Sequence, residues 1–207
     1  MAIIMIFGAS TTYGAWDKEG GWAARLRKSI DKKETEHLIY NLGISGDTTA
    51  DLLERFEFET KQRLEENEET IFIFAIGVND SAFLQSKNGS WIALEKFKNN
   101  IQKLITIAKQ FSSKIVFLGL TPVDEKKTTP IPWNTDIFYK NEYTQKYNNI
   151  IKSICEKENV PFLGLFDSWS NIDYKKLLYD GLHPNSKGHE KIFRSLKDFL
   201  IKKKVIK

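Results

Sequence analysis

The chain of 207 residues is poor in the residues that cross-link a fold or hold a metal, with one cysteine and three histidines. Cys155 has no partner for an internal disulfide. The dispersed His37, His183 and His189 offer none of the close pairings of zinc ligands, so neither a disulfide scaffold nor a metal or other cofactor is expected. Long apolar runs are also missing. No stretch reaches membrane-spanning length, and the apolar opening from Ala2 to Phe7 is too short for a signal peptide, which makes a cytoplasmic location the default expectation. Charge of one sign barely dominates: 31 Lys and Arg against 27 Asp and Glu leave +4, much of it in Lys202, Lys203, Lys204 and Lys207. No run interleaves basic residues with aromatics, which argues against a nucleic-acid partner. Neither G-x-G-x-x-G nor the lysine-bearing phosphate loop occurs, so a nucleotide-binding module built on the glycines near the amino terminus ranks low.

What is present fits an ordinary globular chain, 41% hydrophobic and 28% charged, of a length that suits one domain over residues 1–207. Short β-rich runs alternate with longer helical patterns, which predicts an α/β fold with a mostly parallel sheet. The expected strands are Ala2 to Phe7, Leu38 to Leu42, Thr70 to Ile76, Ile115 to Leu120 and Pro161 to Leu165. The first, third and fourth are continuously apolar, as strands covered by helices on both faces should be. Helical stripes run through Trp22, Leu26 and Ile30, through Leu52, Leu53 and Phe56 behind a Thr48/Asp51 capping pair, and through Phe97, Ile101, Leu104, Ile105 and Ala108. Two more follow, through Tyr143, Tyr147, Ile150, Ile151 and Ile154 and through Ile192, Phe193, Leu196, Phe199 and Leu200. All five read as core. Asn88-Gly89-Ser90 reads as a turn followed by a helix cap.

Four blocks carry chemistry. They are Gly8-Ala9-Ser10-Thr11-Thr12-Tyr13-Gly14, Asn41 to Thr49 containing Gly46, Gly77-Val78-Asn79-Asp80, and Asp180-Gly181-Leu182-His183-Pro184. In an open parallel sheet, ligands bind beyond the carboxyl ends of the strands, where Ser10, Gly46 and Asn79 all fall. A serine hydroxyl needs a base to take its proton, and His183 is the best base, with Asp180 three residues upstream to orient its ring. Gly46 and Asn79 suit the stabilisation of an oxyanion, although each is also a common turn residue. Phe83, Leu84, Trp133 and Phe138 suggest an apolar pocket wall, with core or loop anchoring the equal alternative. The proline-rich loop from Thr121 to Tyr139 leaves a strand end and reads as another part of that wall.

In order and spacing these blocks resemble the SGNH hydrolases, the GDSL esterase and lipase family. The resemblance runs from Ile6 to about His189 and includes Gly20-Gly21-Trp22 and Gly188-His189. It implies a flavodoxin-like three-layer α/β/α sandwich with a five-stranded mostly parallel sheet. It also implies Ser10 as nucleophile, an Asp180/His183 pair, and an oxyanion hole from Ser10, Gly46 and Asn79. One residue departs from the pattern, because Ala9 stands where the family usually has aspartate. The implied activity is hydrolysis of small-molecule carboxylic esters, short acyl or acetyl esters first, with lysophospholipase, thioesterase or carbohydrate deacetylase as alternatives within the family. A non-catalytic ligand-binding protein on the same scaffold is the further alternative. The oligomeric state is not legible in the sequence.

Overall fold

The computed structural model describes residues 2–30 and 37–206. Five parallel strands form the main sheet: β1 (Ala2–Gly8), β2 (Leu38–Gly43), β3 (Glu69–Ala75), β6 (Lys114–Leu118) and β8 (Phe162–Leu163), in the order β2-β1-β3-β6-β8. This is the flavodoxin-like arrangement, with the switch in strand order between β1 and β3. Successive residues of β1 face opposite sides, so Ile3, Met5 and Phe7 enter one core and Ile4 and Ile6 the other. The first core is closed by α3 (Thr49–Lys61), α5 (Leu94–Phe111) and α7 (Asn141–Glu158). The second is closed by α2 (Gly21–Ile30), α8 (Phe166–Ser170) and α9 (Ser186–Lys202). The result is three layers. Phe7 and Phe56 meet edge-on at 4.9 Å and Phe74 stacks on Phe7 at 5.9 Å, so truncating one of these buried rings to alanine costs about 3–5 kcal/mol.

The five helical stripes pack against the two cores as expected, with Leu53, Ile150 and Phe193 partly buried at their margins. Thr48 and Asp51 form the expected capping box at α3, with the Thr48 N–H donating to Asp51 Oδ2 at 2.8 Å. Two expectations are corrected. The last strand is Phe162–Leu163 rather than Pro161 to Leu165, because Leu165 already caps α8. Ser90 caps no helix: after Asn88, at φ 46°, Gly89–Ser90 form a short strand, and α5 begins at Leu94.

That short strand, β5 (Gly89–Ser90), lies in an antiparallel ladder with β4 (Phe83–Leu84) and β7 (Ile137–Phe138), in the order β5-β4-β7. Beneath it Ala82, Leu84, Val123, Ile131, Ile137, Tyr139 and Leu182 form a third, smaller apolar cluster. The ladder stands beyond the carboxyl ends of β3 and β6, so it adds a wall to the edge where the functional blocks emerge. Among the described residues no helix is long and apolar enough to cross a membrane.

Candidate active site

The turn after β1 is built around close approach. A methyl group at Gly8 would overlap Thr12 Oγ1 and the Ala75 carbonyl oxygen, so glycine lets β1, β3 and the following turn α1 (Ser10–Tyr13) meet without a gap. The Ile44 N–H donates to the Gly8 carbonyl at 3.0 Å and Asn41 Nδ2 donates to the Thr12 carbonyl at 2.9 Å, which ties the turn to the end of β2. Ser10 is thereby fixed at the first position of α1 with its side chain in a cavity of about 310 Å³.

Across the cavity, Asp180 and His183 share one tight loop. The carboxylate Oδ1 accepts the backbone N–H groups of Leu182 at 3.0 Å and His183 at 2.8 Å, while Oδ2 lies 2.7 Å from His183 Nδ1. With the proton on Nδ1 held by this carboxylate, Nε2 presents its lone pair to Ser10 Oγ, 2.9 Å away. Burial alone would raise the Asp180 pKa, but the ring and backbone hydrogen bonds from His183, with that of Leu182, outweigh it and hold the carboxyl below its ordinary range. The indole Nε1 of Trp16 also lies 3.2 Å from Nδ1. One ring nitrogen cannot serve both, and the nearer, anionic Asp180 takes its proton, leaving Trp16 beside the pair.

The donors opposite are equally constrained. Asn79 follows β3 in α4 (Val78–Ser81), where its Nδ2 donates to the Asp47 carbonyl at 2.8 Å and its Oδ1 accepts the Tyr139 hydroxyl at 3.0 Å. Burial pushes the Tyr139 pKa well up, so the phenol stays protonated and fixes which end of the amide is the oxygen. The second Nδ2 hydrogen is then left for the cavity. Gly46, at φ 91°, has nothing within 4 Å of a notional Cβ, and in this left-handed conformation a residue with a side chain would be strained. Its loop is held from behind by Arg55, which donates to Asp47 Oδ2 at 2.8 Å and to the Leu42 carbonyl at 3.0 Å. Among the described residues the N–H groups of Ser10 and Gly46 have no protein acceptor.

Asp80, next to Asn79, is fully buried and accepts the Thr49 N–H at 3.0 Å and its hydroxyl at 2.5 Å, pinning the start of α3 behind the Gly46 loop. Burial pushes its carboxyl up to about 6, the Thr49 bonds opposing only part of that rise. A carboxyl raised on folding stabilises the folded state fully below its unfolded pKa, and that contribution is lost as pH rises through the folded value. The unfolding free energy of the wild type relative to Asp80→Asn should therefore fall between pH 4 and 6, by on the order of 3 kcal/mol. Urea titrations of both proteins at pH 4, 5, 6 and 7 measure it, and a constant difference would contradict this account.

Of the four residues expected to wall the pocket, only Trp133 lines the cavity, its ring parallel to that of His183 at 6.3 Å. Phe83, Leu84 and Phe138 do not. Phe83 and Phe138 pair across the ladder between β4 and β7 at 6.3 Å, and Leu84 is buried in the cluster beneath it. Alternation along β7 explains the error, since Ile137 and Tyr139 face the cavity and the intervening Phe138 faces away. Ile131, Trp91, Leu182 and Trp16 complete the apolar lining. Of these, Trp16 had a visible signal, as a large aromatic directly after the nucleophile block. His37 accepts the Ala2 N–H at the start of β1, and His189 is buried and accepts the Trp22 N–H at 3.3 Å, so neither enters the cavity. Burial pushes the Cys155 thiol up to about 12, far from a nucleophile's range. Ala9 is buried under the turn beside a second cavity of about 40 Å³ and makes no capping bond, yet Ser10 keeps its contact with His183.

Residues 6–191 match the model of the GDSL-like Lipase/Acylhydrolase family. The chain belongs to this family. The isoamyl acetate-hydrolyzing esterase of Saccharomyces cerevisiae is 28% identical over 135 residues, 60% of this chain. That match spans 52% of the yeast protein, about half its length. The isoamyl acetate-hydrolyzing esterase 1 homolog of Homo sapiens is 26% identical over 213 aligned residues, covering 98% of this chain and 82% of the human one. The crystal structure of the lipase/acylhydrolase from Enterococcus faecalis superposes with a TM-score of 0.75 at 20% identity, over 97% of this chain and 95% of that one, which shows a shared fold.

Proposed function

We propose that the protein cleaves carboxylic esters of short acyl groups through an acyl-Ser10 intermediate. The observation that carries this reading is the continuous contact from Asp180 through His183 to Ser10, at 2.7 and 2.9 Å, opening on a cavity that three uncommitted donors also face. Ser10 Oγ attacks the carbonyl carbon as His183 Nε2 takes its proton. The negative charge then developing on the carbonyl oxygen is stabilised by the N–H groups of Ser10 and Gly46 and by Asn79 Nδ2. His183 returns the proton to the departing alcohol oxygen, the acyl group stays on Ser10, and a water deprotonated by His183 releases the acid. Asp180 remains ionised throughout and steadies the imidazolium.

A short acyl group is favoured because Ile131, Trp133, Ile137, Tyr139 and Leu182 enclose one side of a cavity of only about 310 Å³. The acetate esterase named in both curated relatives agrees with that size. A panel of p-nitrophenyl esters from acetate to decanoate tests this, with kcat/KM expected to be highest for the shortest members. A profile that rises toward decanoate would contradict it.

The oxyanion assignment makes its own prediction. Asn79→Ala should lower kcat about 10²- to 10³-fold with little change in KM, because its donor acts on the transition state. Tyr139→Phe, which only frees the amide to rotate, should cost less than Asn79→Ala. Steady-state kinetics on p-nitrophenyl acetate measures both, and equal effects on kcat and KM at Asn79 would point to substrate binding instead.

A further inference from the structure

Large exposed rings are ordinarily scattered singly over a protein surface, but here three gather at one place. Tyr13, Trp16 and Tyr179, each 61% exposed, border a groove of about 810 Å³. Trp16 and Tyr179 stack at 6.0 Å with 21° between their planes, forming one exposed aromatic pair beside the groove. The groove shares Ala15, Trp16 and Ser45 with the cavity that holds Ser10, so the two are continuous.

The chemistry of ester cleavage decides what this groove faces. The departing alcohol oxygen must come within reach of His183 Nε2 to be protonated, while the carbonyl oxygen points toward Gly46 and Asn79. Trp16 meets the His183 ring edge-on at 6.1 Å, and the Tyr179 N–H donates to the His183 carbonyl at 2.8 Å. The aromatic surface is therefore mounted on the proton donor itself. With the acyl group placed under Ile131, Ile137 and Tyr139, as proposed above, the alcohol portion extends toward the groove.

The surface is also rigid. Trp16 has φ 64°, and the carboxylate of the next residue, Asp17, accepts the N–H of Gly21 at 3.1 Å and pairs with Arg25. Arg25 is in turn bonded to Ser186 at 2.8 Å on α9, the helix that follows His183. With Asp17 committed in this way, the groove offers the aromatic pair, with Lys18 and Ser45 as the polar side chains beside it.

We infer that this groove binds the alcohol portion of the ester and selects alcohols bearing an apolar ring, an aryl or arylalkyl group stacked on Trp16 and Tyr179. The inference rests on the esterase reading above. Its test compares kcat/KM for ethyl acetate and 2-phenylethyl acetate in the wild type, Tyr179→Ala, Trp16→Phe and, as a control, Phe58→Ala, an exposed ring on α3 outside the groove. The wild type should prefer the ring-bearing ester. Tyr179→Ala should shrink that preference roughly three- to tenfold, mainly through KM. Trp16→Phe, which keeps a ring in place, should retain most of it, and Phe58→Ala should not alter it. No preference in the wild type, or one that survives Tyr179→Ala intact, would overturn the inference. Ser10→Ala assayed on both esters separates the two levels: hydrolysis surviving there removes the esterase reading itself, whereas hydrolysis lost there with a flat alcohol profile removes only the groove assignment.

Discussion

Ser10→Ala should lower kcat for p-nitrophenyl acetate roughly 10⁴- to 10⁶-fold while leaving the unfolding temperature nearly unchanged. The loss is large because Ser10 is the hydroxyl in contact with His183 Nε2, and among the described residues no other hydroxyl is bonded to that nitrogen. His189 is turned toward the Trp22 backbone, and the Cys155 thiol is buried in the core of the opposite layer. What remains after the substitution is the set of donors around Gly46 and Asn79, which can polarise a bound ester but form no covalent intermediate. The fold should survive because the turn is held by the backbone bond from Ile44 to Gly8 and by the Asn41 side-chain amide on the Thr12 carbonyl, not by the Ser10 side chain. Turnover and thermal melts measured on the same preparation check both halves. Near-normal turnover would remove Ser10 from the chemistry.

The second large effect is expected at Asp180. Asp180→Asn should reduce kcat by roughly 10⁴-fold, the size known for the equivalent change in the trypsin triad. The physical reason is the tautomer. An amide that turns its NH₂ toward His183 Nδ1 favours the ring with its proton on Nε2, which has no lone pair for Ser10 Oγ. The amide oxygen can still accept the N–H groups of Leu182 and His183, so the loop should persist and the KM should move little. Asp180 also makes an acid-side stability prediction, opposite in sign to that of Asp80. Its folded pKa lies below the ordinary value, so its contribution is present above about pH 4 and lost as pH falls through the folded value. Chemical denaturation of the wild type and Asp180→Asn below pH 5 should show the two stabilities converging, and a gap that widens on acidification would contradict the assignment.

Much of the sheet was legible because burial on both faces leaves a plain signal. The runs Ile3 to Phe7 and Ile71 to Ile76 admit no polar residue, and they became the two central strands on either side of the switch in strand order. The gathering of Ser10, Gly46 and Asn79 followed from their positions beyond strand ends, whereas the meeting of Ser10 with Asp180 and His183 was what the family resemblance implied. The pocket wall was less legible. Phe83, Leu84 and Phe138 carry the right chemistry, but which way each faces depends on a two-residue antiparallel ladder too short to show periodicity. Ser90 was misread for the same reason, since Asn88-Gly89-Ser90 opens a strand of that ladder and not a helix. Arg55 and Tyr139 were also missed, Tyr139 because its partner Asn79 lies 60 positions away and Arg55 because no local pattern shows it turning back onto Asp47. Trp16 belongs with them, its importance coming from stacking on Tyr179 across 163 positions of sequence, from residue 16 to residue 179.

The central claim is that Ser10 is made nucleophilic by His183, and covalent capture tests it most directly. A fluorophosphonate should add once to the wild-type protein, with the adduct mapped by mass spectrometry to the peptide containing Ser10, and the rate should collapse in His183→Ala, whose Ser10 is intact. An adduct on another residue, or labelling of Ser10 at an undiminished rate without His183, would contradict it.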